Sequence, residues 1–280
     1  METNIDKTAP KIFLITGASR GFGKLWAEAF LKRGDKVAAT ARDPGHLNDL
    51  ADKFGDAVLP IKLDVNNREE CFRAVKHAKE HFGRIDVLIN NAGYGLFGAI
   101  EETTEKEARD QMGTNFFGLL WVTQAILPVM REQKSGHIVQ VSSFLGLITL
   151  PVLGLYNASK FAVEGLTETL AAEVAGFNIK ITLVEPNAYS TEWSGSAFRT
   201  IETDTYASVK KAFFDGLASP GIWGKPEATT DAITMLIDSP NPPLRLLLGN
   251  RAYPLIKQNY EKRLAGFEEW KEISDAAQGE

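Results

Sequence analysis

Residues 11–30 read KIFLITGASRGFGKLWAEAF, and this stretch carries the fold in miniature. KIFLIT (11–16) is apolar and rich in β-branched residues with no polar alternation, as in a strand covered on both faces. TGASRGFG follows, with glycines at 17, 21 and 23. GFGKLWAEAFLKRG (21–34) then shows helical apolar spacing and stops at Gly34. Strand, glycine-rich turn and helix in that order aim unpaired backbone N–H groups and a helix dipole at one point, which suits a phosphate. Glycine permits the tight turn and close backbone approach. The spacing is G-x-x-x-G-x-G, so the ordinary G-x-G-x-x-G dinucleotide fingerprint is not matched.

Outward from this unit the alternation continues. KVAAT (36–40), AVLPIKLDV (57–65), IDVLINNAG (85–93), HIVQVSS (137–143) and IKITLVEP (179–186) read as strands, with RLLLG (245–249) a candidate seventh. Helical patterns fall between them near 45–54, 67–82, 104–131 and 155–175. Such alternation implies right-handed parallel crossovers. The predicted fold is α/β: a single-domain, Rossmann-like, doubly wound parallel sheet of about seven strands with helices on both faces. Residues 1–10 are expected to be a tail, 11–265 the domain and 266–280 a second tail. The stretch 187–225, rich in Ser, Thr, Gly and scattered aromatics, breaks the pattern and reads as a substrate loop.

Composition narrows the function. The 280 residues are 44% hydrophobic and 24% charged, enough for a substantial core. A net charge of -5 argues against a nucleic-acid partner. The single cysteine, Cys71, excludes an intrachain disulfide framework and a cysteine-only metal cluster. Of the four histidines only His77 and His81 have i, i+4 spacing, and no acidic residue stands between them as in a metalloprotease, so no metal is expected. METNIDKTAPK lacks the apolar core of a signal peptide, and no run of about eighteen apolar residues suggests a membrane span. A cytoplasmic protein without membrane attachment is the expectation.

The T-G-x-x-x-G-x-G element resembles the cofactor motif of the short-chain dehydrogenase/reductase family, specifically its compact dehydrogenase/reductase branch. The resemblance accumulates over residues 11–191. It implies that Gly17, Ser19, Arg20, Gly21, Phe22 and Gly23 hold the cofactor phosphates, and that Asp64 and Val65 contact the adenine. Asn91, Ala92 and Gly93 belong to an N-N-A-G element at 90–93. Read alone, Asp64 is equally a strand-end cap and the asparagines a structural turn. In dinucleotide folds an acidic residue at the end of the second strand holds the ribose diol. Here Ala41 stands in that place with Arg42 after it, and Arg20 lies in the loop. Two guanidiniums suit a 2′-phosphate, so NADP(H) is expected in preference to NAD(H), although Asp43 stands close by.

Tyr156 and Lys160 in Y-N-A-S-K share one helical face. Half-ionising a tyrosine near neutrality takes about 4 kcal/mol, which a nearby ammonium can help to supply. Ser143 lies thirteen positions before Tyr156, the family's spacing, and Asn115 in M-G-T-N-F-F-G matches its helix asparagine. The resemblance therefore implies an Asn115–Ser143–Tyr156–Lys160 tetrad. In it Ser143 bonds the substrate oxygen, Tyr156 exchanges its proton, Lys160 lowers the tyrosine pKa and binds the nicotinamide ribose, and Asn115 organises a proton path to Lys160. Pro186, Asn187 and Thr191 stand at the nicotinamide positions, with Asn187 where the family usually has glycine. Asparagine tolerates left-handed backbone, which would preserve the turn.

The function so implied is an NADP(H)-dependent oxidoreductase, a carbonyl reductase or secondary-alcohol dehydrogenase. The alternatives are a non-catalytic NADP(H)-binding redox sensor, which has no need of a general acid, and a nucleotide- or nucleic-acid-directed protein, for which the basic groove is missing. Tyr94, Phe97, Phe144, Leu145 and Trp193 stand around the expected site and, with Leu96, Leu147, Phe198, Phe213, Phe214 and Trp223, offer almost no fixed charge. An apolar or aromatic carbonyl substrate is expected. The family's habit of pairing through two long helices implies a homodimer or tetramer.

Overall fold

The computed structural model describes residues 10–191, 198–201 and 203–279. Seven strands form one parallel sheet: β1 (Ile12–Ile15), β2 (Lys36–Ala41), β3 (Val58–Lys62), β4 (Val87–Asn90), β6 (Gly136–Val141), β7 (Ile179–Pro186) and β9 (Arg245–Leu248), in the order β3-β2-β1-β4-β6-β7-β9. A two-residue strand β5 (Leu96–Phe97) pairs separately with β8 (Phe198–Arg199). The sheet's strand order reverses between β1 and β4, which opens a crevice at their carboxyl ends.

The apolar runs are continuous because both faces are covered. Phe13 and Ile15 of β1 face one core with Trp26 and Phe30 of α1 (Gly21–Lys32). Leu14 faces the other, with Val122, Ile126 and Met130 of α5 (Leu119–Gln133). Phe13 stacks on Phe30 with ring centroids 4.0 Å apart. The first core is completed by α2 (Asn48–Phe54) and α8 (Thr229–Asp238), the second by α3 (Arg68–Phe82) and α6 (Gly154–Val174).

Several expectations are revised. The helix expected over 104–131 is two helices, α4 (Glu105–Met112) and α5, joined by a π-type turn at Gly113–Gly118. Gly118 allows that turn to press on Val65, whose side chain a Cβ at 118 would meet at 2.7 Å. Taken by length and composition, Glu105–Gln133 is long and apolar enough to cross a membrane. Here Val122, Ala125, Ile126 and Met130 pack into the second core instead.

The substrate loop contains β8 and a helix, α7 (Ala207–Leu217). The short helix α8 had no expected counterpart; Trp26 Nε1 donates to Thr229 Oγ1 at 2.9 Å and ties it to α1. The expected C-terminal tail is largely helical, with α9 (Ala252–Glu269) running through residue 265 and α10 (Lys271–Ala276) after it. Only Ala252 and Ile256 of α9 are buried.

Candidate active site

Most of the expected site residues follow the carboxyl ends of β1, β4, β6 and β7, on either side of the reversal in strand order, with Arg42 after β2 and Asp64 and Val65 after β3. The glycine loop is held from below. Asn91 Nδ2 donates to the carbonyls of Thr16 and Gly17, both at 3.0 Å, and Thr16 Oγ1 accepts from the Asn91 and Ala92 amides at 2.9 and 3.0 Å. Asn91 is thus a brace for the loop, and Thr16, which the sequence reading passed over, is its second anchor. Gly17 has φ +65°, and a Cβ at Gly23 would lie 2.3 Å from the Gly17 carbonyl. Helix α1 begins at extended Arg20 with no side-chain cap and no acidic residue in its first turn.

That uncapped helix start fits the pyrophosphate of a dinucleotide. Gly21, Phe22 and Gly23 form its first turn, with half-buried Ser19 just before. Phe22 spends its ring on Trp26 and Tyr189, with centroids 5.0 and 5.3 Å away. Arg20 and Arg42 are exposed, and neither enters an ion pair among the described residues. Asp43 does not compete for Arg42: its carboxylate accepts from Gly45 N at 2.9 Å and shapes its own turn. Asp64 likewise accepts from the Asn66 amide at 3.0 Å, as the strand-end reading expects, and Val65 packs against Gly118.

Ser143 ends the run from β6 and opens the turn Phe144–Gly146, its Oγ accepting from Leu145 N at 3.1 Å and donating to the Pro186 carbonyl at 3.4 Å. The same hydroxyl reaches the phenol of Tyr156. Its neighbour Ser142 faces Glu164 instead, so the two serines diverge as strand geometry requires. Tyr156 is 7% exposed; burial pushes its phenol up to about 12, and the Ser143 contact opposes this. Lys160 Nζ lies 5.6 Å from the Tyr156 ring centroid and donates to the Val141 carbonyl at 2.9 Å. Burial pushes the ammonium down to about 8, and Glu164 opposes that. The protein alone therefore does not depress the tyrosine: desolvation outweighs the Ser143 hydrogen bond, and the Lys160 ammonium is anchored to a backbone carbonyl.

Asn115 sits in the π-type turn, a feature that gathers at functional sites. Its Oδ1 accepts from Tyr94 N at 3.1 Å, and its Nδ2 donates to Tyr94 O at 3.0 Å and Ser159 Oγ at 3.1 Å. Ser159 in turn donates to the Tyr156 carbonyl at 2.7 Å, and Gln111 Nε2 donates to Tyr94 O at 3.0 Å. Asn115 thus braces α6 and the backbone of Tyr94, with no direct bond to Lys160. Gly93 leaves it room, since a Cβ there would stand 3.2 Å from Asn115 Oδ1.

The expected left-handed Asn187 is not observed. The positive φ lies across from it, at Gly249 (+96°), whose missing Cβ makes space for the Asn187 amide; a Cβ at 249 would fall 2.1 Å from Asn187 Oδ1. That oxygen is buried without a hydrogen-bond partner among the described residues, an orphan acceptor. Thr191 lies at the end of the same segment, its amide donating to Tyr189 O at 2.8 Å.

On the substrate side, Phe97, Leu145 and Tyr156 share an apolar cluster with Phe144, Phe213, Phe214 and Leu217. Phe97 lies 5.9 and 5.8 Å from the rings of Phe213 and Phe214, so α7 covers this cluster. Half-buried Tyr94 has its phenol pushed up to about 12 by desolvation. Trp193 lies outside the described residues. Two cations the sequence reading did not place, Arg199 and Lys210, line the outer crevice with Phe97 and Phe214. Both are engaged: Arg199 lies 4.6 Å over the Phe214 ring, and Lys210 Nζ is 2.7 Å from Glu102 Oε1.

Comparisons with known proteins agree with this fold. A family model described as short chain dehydrogenase matches residues 11–202. Oxidoreductase BOA17 of Botryotinia fuckeliana is 42% identical over 271 residues, covering 95% of this chain and 99% of that protein. The 3-ketodihydrosphingosine reductase of Bacteroides thetaiotaomicron is 37% identical over 264 residues, covering 90% and 91%. The crystal structure of a short-chain dehydrogenase from Streptomyces avermitilis superposes with a TM-score of 0.90 at 38% identity, covering 96% of this chain and 98% of that one.

Proposed function

The chain belongs to the short-chain dehydrogenase/reductase family, an oxidoreductase family, and from that premise we propose that it is an NADP(H)-dependent reductase of apolar or aromatic ketones and aldehydes, able to run in reverse on the secondary alcohols. The observation that carries the reading is a buried Tyr156 phenol, bonded to Ser143, with Lys160 one turn along α6 and an apolar cluster packed around the ring. When bound, NADP(H) supplies or accepts the hydride.

Arg20 and Arg42 would hold the 2′-phosphate with two forked, exposed guanidiniums. The start of α1 would hold the pyrophosphate, and the orphan Asn187 Oδ1 would accept from the carboxamide. Ser143 donates to the substrate oxygen and orients it. Tyr156, held protonated by burial, delivers the proton to that oxygen as negative charge develops. Lys160, fixed by the Val141 carbonyl, keeps positive charge beside the phenol and favours the phenolate left behind. Phe144, Tyr94 and Phe97 with the α7 aromatics exclude water and bind apolar substrate surface. An aryl group burying about 150 Å² gains about 4 kcal/mol there.

The test compares kcat/KM for an aryl ketone, a steroid ketone and an open-chain sugar, each with NADPH and with NADH. The ketones with NADPH are expected to lead by at least tenfold. A preference for the sugar overturns the substrate class, and equal or better use of NADH overturns the cofactor reading.

A further inference from the structure

One turn beyond Lys160 on α6 stands Glu164, so Tyr156, Lys160 and Glu164 form an i, i+4, i+8 row on one helical face. Glu164 is 5% exposed, and Glu185 from β7, whose carboxyl group meets it, is 0% exposed. Arg245 of β9 reaches both: its Nε is 3.3 Å from Glu164 Oε2 and 3.4 Å from Glu185 Oε1. Its other arm is spent on exposed Glu168 at 3.0 Å. Gly146 closes over the cluster, since a Cβ there would lie 2.8 Å from Glu164 Cγ and 2.9 Å from Ser142 Oγ. Ser142 Oγ, Glu164 Oε1 and both oxygens of Glu185 are buried and face one another, with no well-formed hydrogen bond on any of the four among the described residues.

Two buried carboxylates in contact, sharing one guanidinium with a third, cannot both stay ionised. A single shared proton removes the excess charge and supplies the missing donor between them. Burial accordingly pushes Glu185 up to about 8, with Glu164 adding to the rise, and Glu164 is itself raised by burial. The other charged or titratable groups near the pair are Lys160 and Glu168 on α6, Arg245 on β9, and Tyr260 on α9, which is itself beside Arg263.

We propose that Glu164 and Glu185, clamped by Arg245, form a proton-binding dyad behind the active site, which holds one proton at neutral pH and on losing it places a negative charge beneath Lys160 that tightens the lysine's hold on its own proton. Glu164 and Glu185 are thus positioning residues for the reaction read above, acting through Lys160. The link rests on that reading of Lys160, whereas the stored proton does not.

Two measurements on wild type, Glu185→Gln and the surface control Glu173→Gln test it. The first is Tm against pH. A native state that keeps a proton the unfolded chain has already lost becomes less stable as pH rises, until the native state releases it. Wild type and Glu173→Gln are expected to lose Tm between pH 6.5 and 8, and Glu185→Gln to lack that loss. Parallel curves for all three overturn the dyad. The second follows the Lys160 Cε carbon by NMR, assigned by its disappearance in Lys160→Met. Its titration midpoint is expected about one pH unit lower in Glu185→Gln than in wild type. An unchanged midpoint overturns the link to Lys160. Neither measurement needs turnover, so a chain inactive on every ketone would sink the catalytic reading and leave the dyad to be judged by itself.

Discussion

Tyr156 and Arg42 carry the sharpest consequences at the scale of single residues. Tyr156→Phe removes the transferable proton and keeps the ring that packs in the apolar cluster. Turnover is expected to fall at least a hundredfold, with the NADPH dissociation constant changed by no more than a few-fold, as read by steady-state kinetics and fluorescence titration. Substantial retained activity would mean that another group donates. Arg42 has no ion pair to lose among the described residues, and the Asp43 carboxylate is turned to its own turn. Ala41→Asp with Arg42→Leu is therefore expected to move the NADPH/NADH preference toward NADH by more than tenfold, one charge-assisted contact contributing about 1.5–3 kcal/mol. These residues were legible in the sequence because their chemistry depends on type and spacing. The duties of Asn91 and Asn115 were not, since each is set by a chain-distant partner: the Thr16 and Gly17 carbonyls, and Ser159.

Among the elements, α7 depends on one side-chain latch. Glu102, at the end of the turn Ile100–Glu102, accepts from Lys210 Nζ of α7 and from Thr203 N and Oγ1, all at 2.7 Å, and from Ala99 N at 3.0 Å. The Lys210 ammonium, ahead of the Thr203 hydroxyl, holds the carboxyl down at about 2. Lys210→Met leaves that carboxylate without its cation and loosens the roof over Phe97. Limited proteolysis within 199–217 is expected to speed up at least about tenfold, and KM for an aryl ketone to rise, while NADPH affinity holds. Unchanged proteolysis would show that the aromatic contacts alone seat α7. Periodicity announced the long strands and helices, but α7 and the π-type turn escaped it. A short helix held by a distant ion pair has no strong local pattern, and a π-type turn differs from an α-helix by a shift in hydrogen bonding that composition does not encode.

For the whole molecule, acid stability is set by groups buried in the neutral form. His137, in β6, contacts Thr182 Oγ1 at 3.0 Å, and burial, with lesser contributions from Lys180 and Lys11, pushes it down to about 3. The unfolded chain takes up this proton near pH 6.5 and the native state does not, so acidification favours unfolding between those values. Glu185 pulls the other way over part of that range, so the readout is the difference between variant and wild type. In urea unfolding, His137→Leu is expected to gain up to about 2 kcal/mol on wild type between pH 7 and pH 5. Parallel behaviour would mean that His137 takes up its proton in the folded state.

The strand–glycine–helix unit at 11–34, the alternation that makes a doubly wound sheet, and the order Asn115, Ser143, Tyr156, Lys160 were determined by the sequence alone. Each follows from local spacing and residue type, which short-range physics converts directly into structure. Tertiary structure decided what depends on approach between distant segments: Gly249 giving way to Asn187, α7 latched by Glu102, a Tyr156 phenol raised by burial, and Glu164 meeting Glu185 and Arg245 behind Lys160. Desolvation and charge pairing are properties of the packed interior, and they exist only once the chain has closed around those groups.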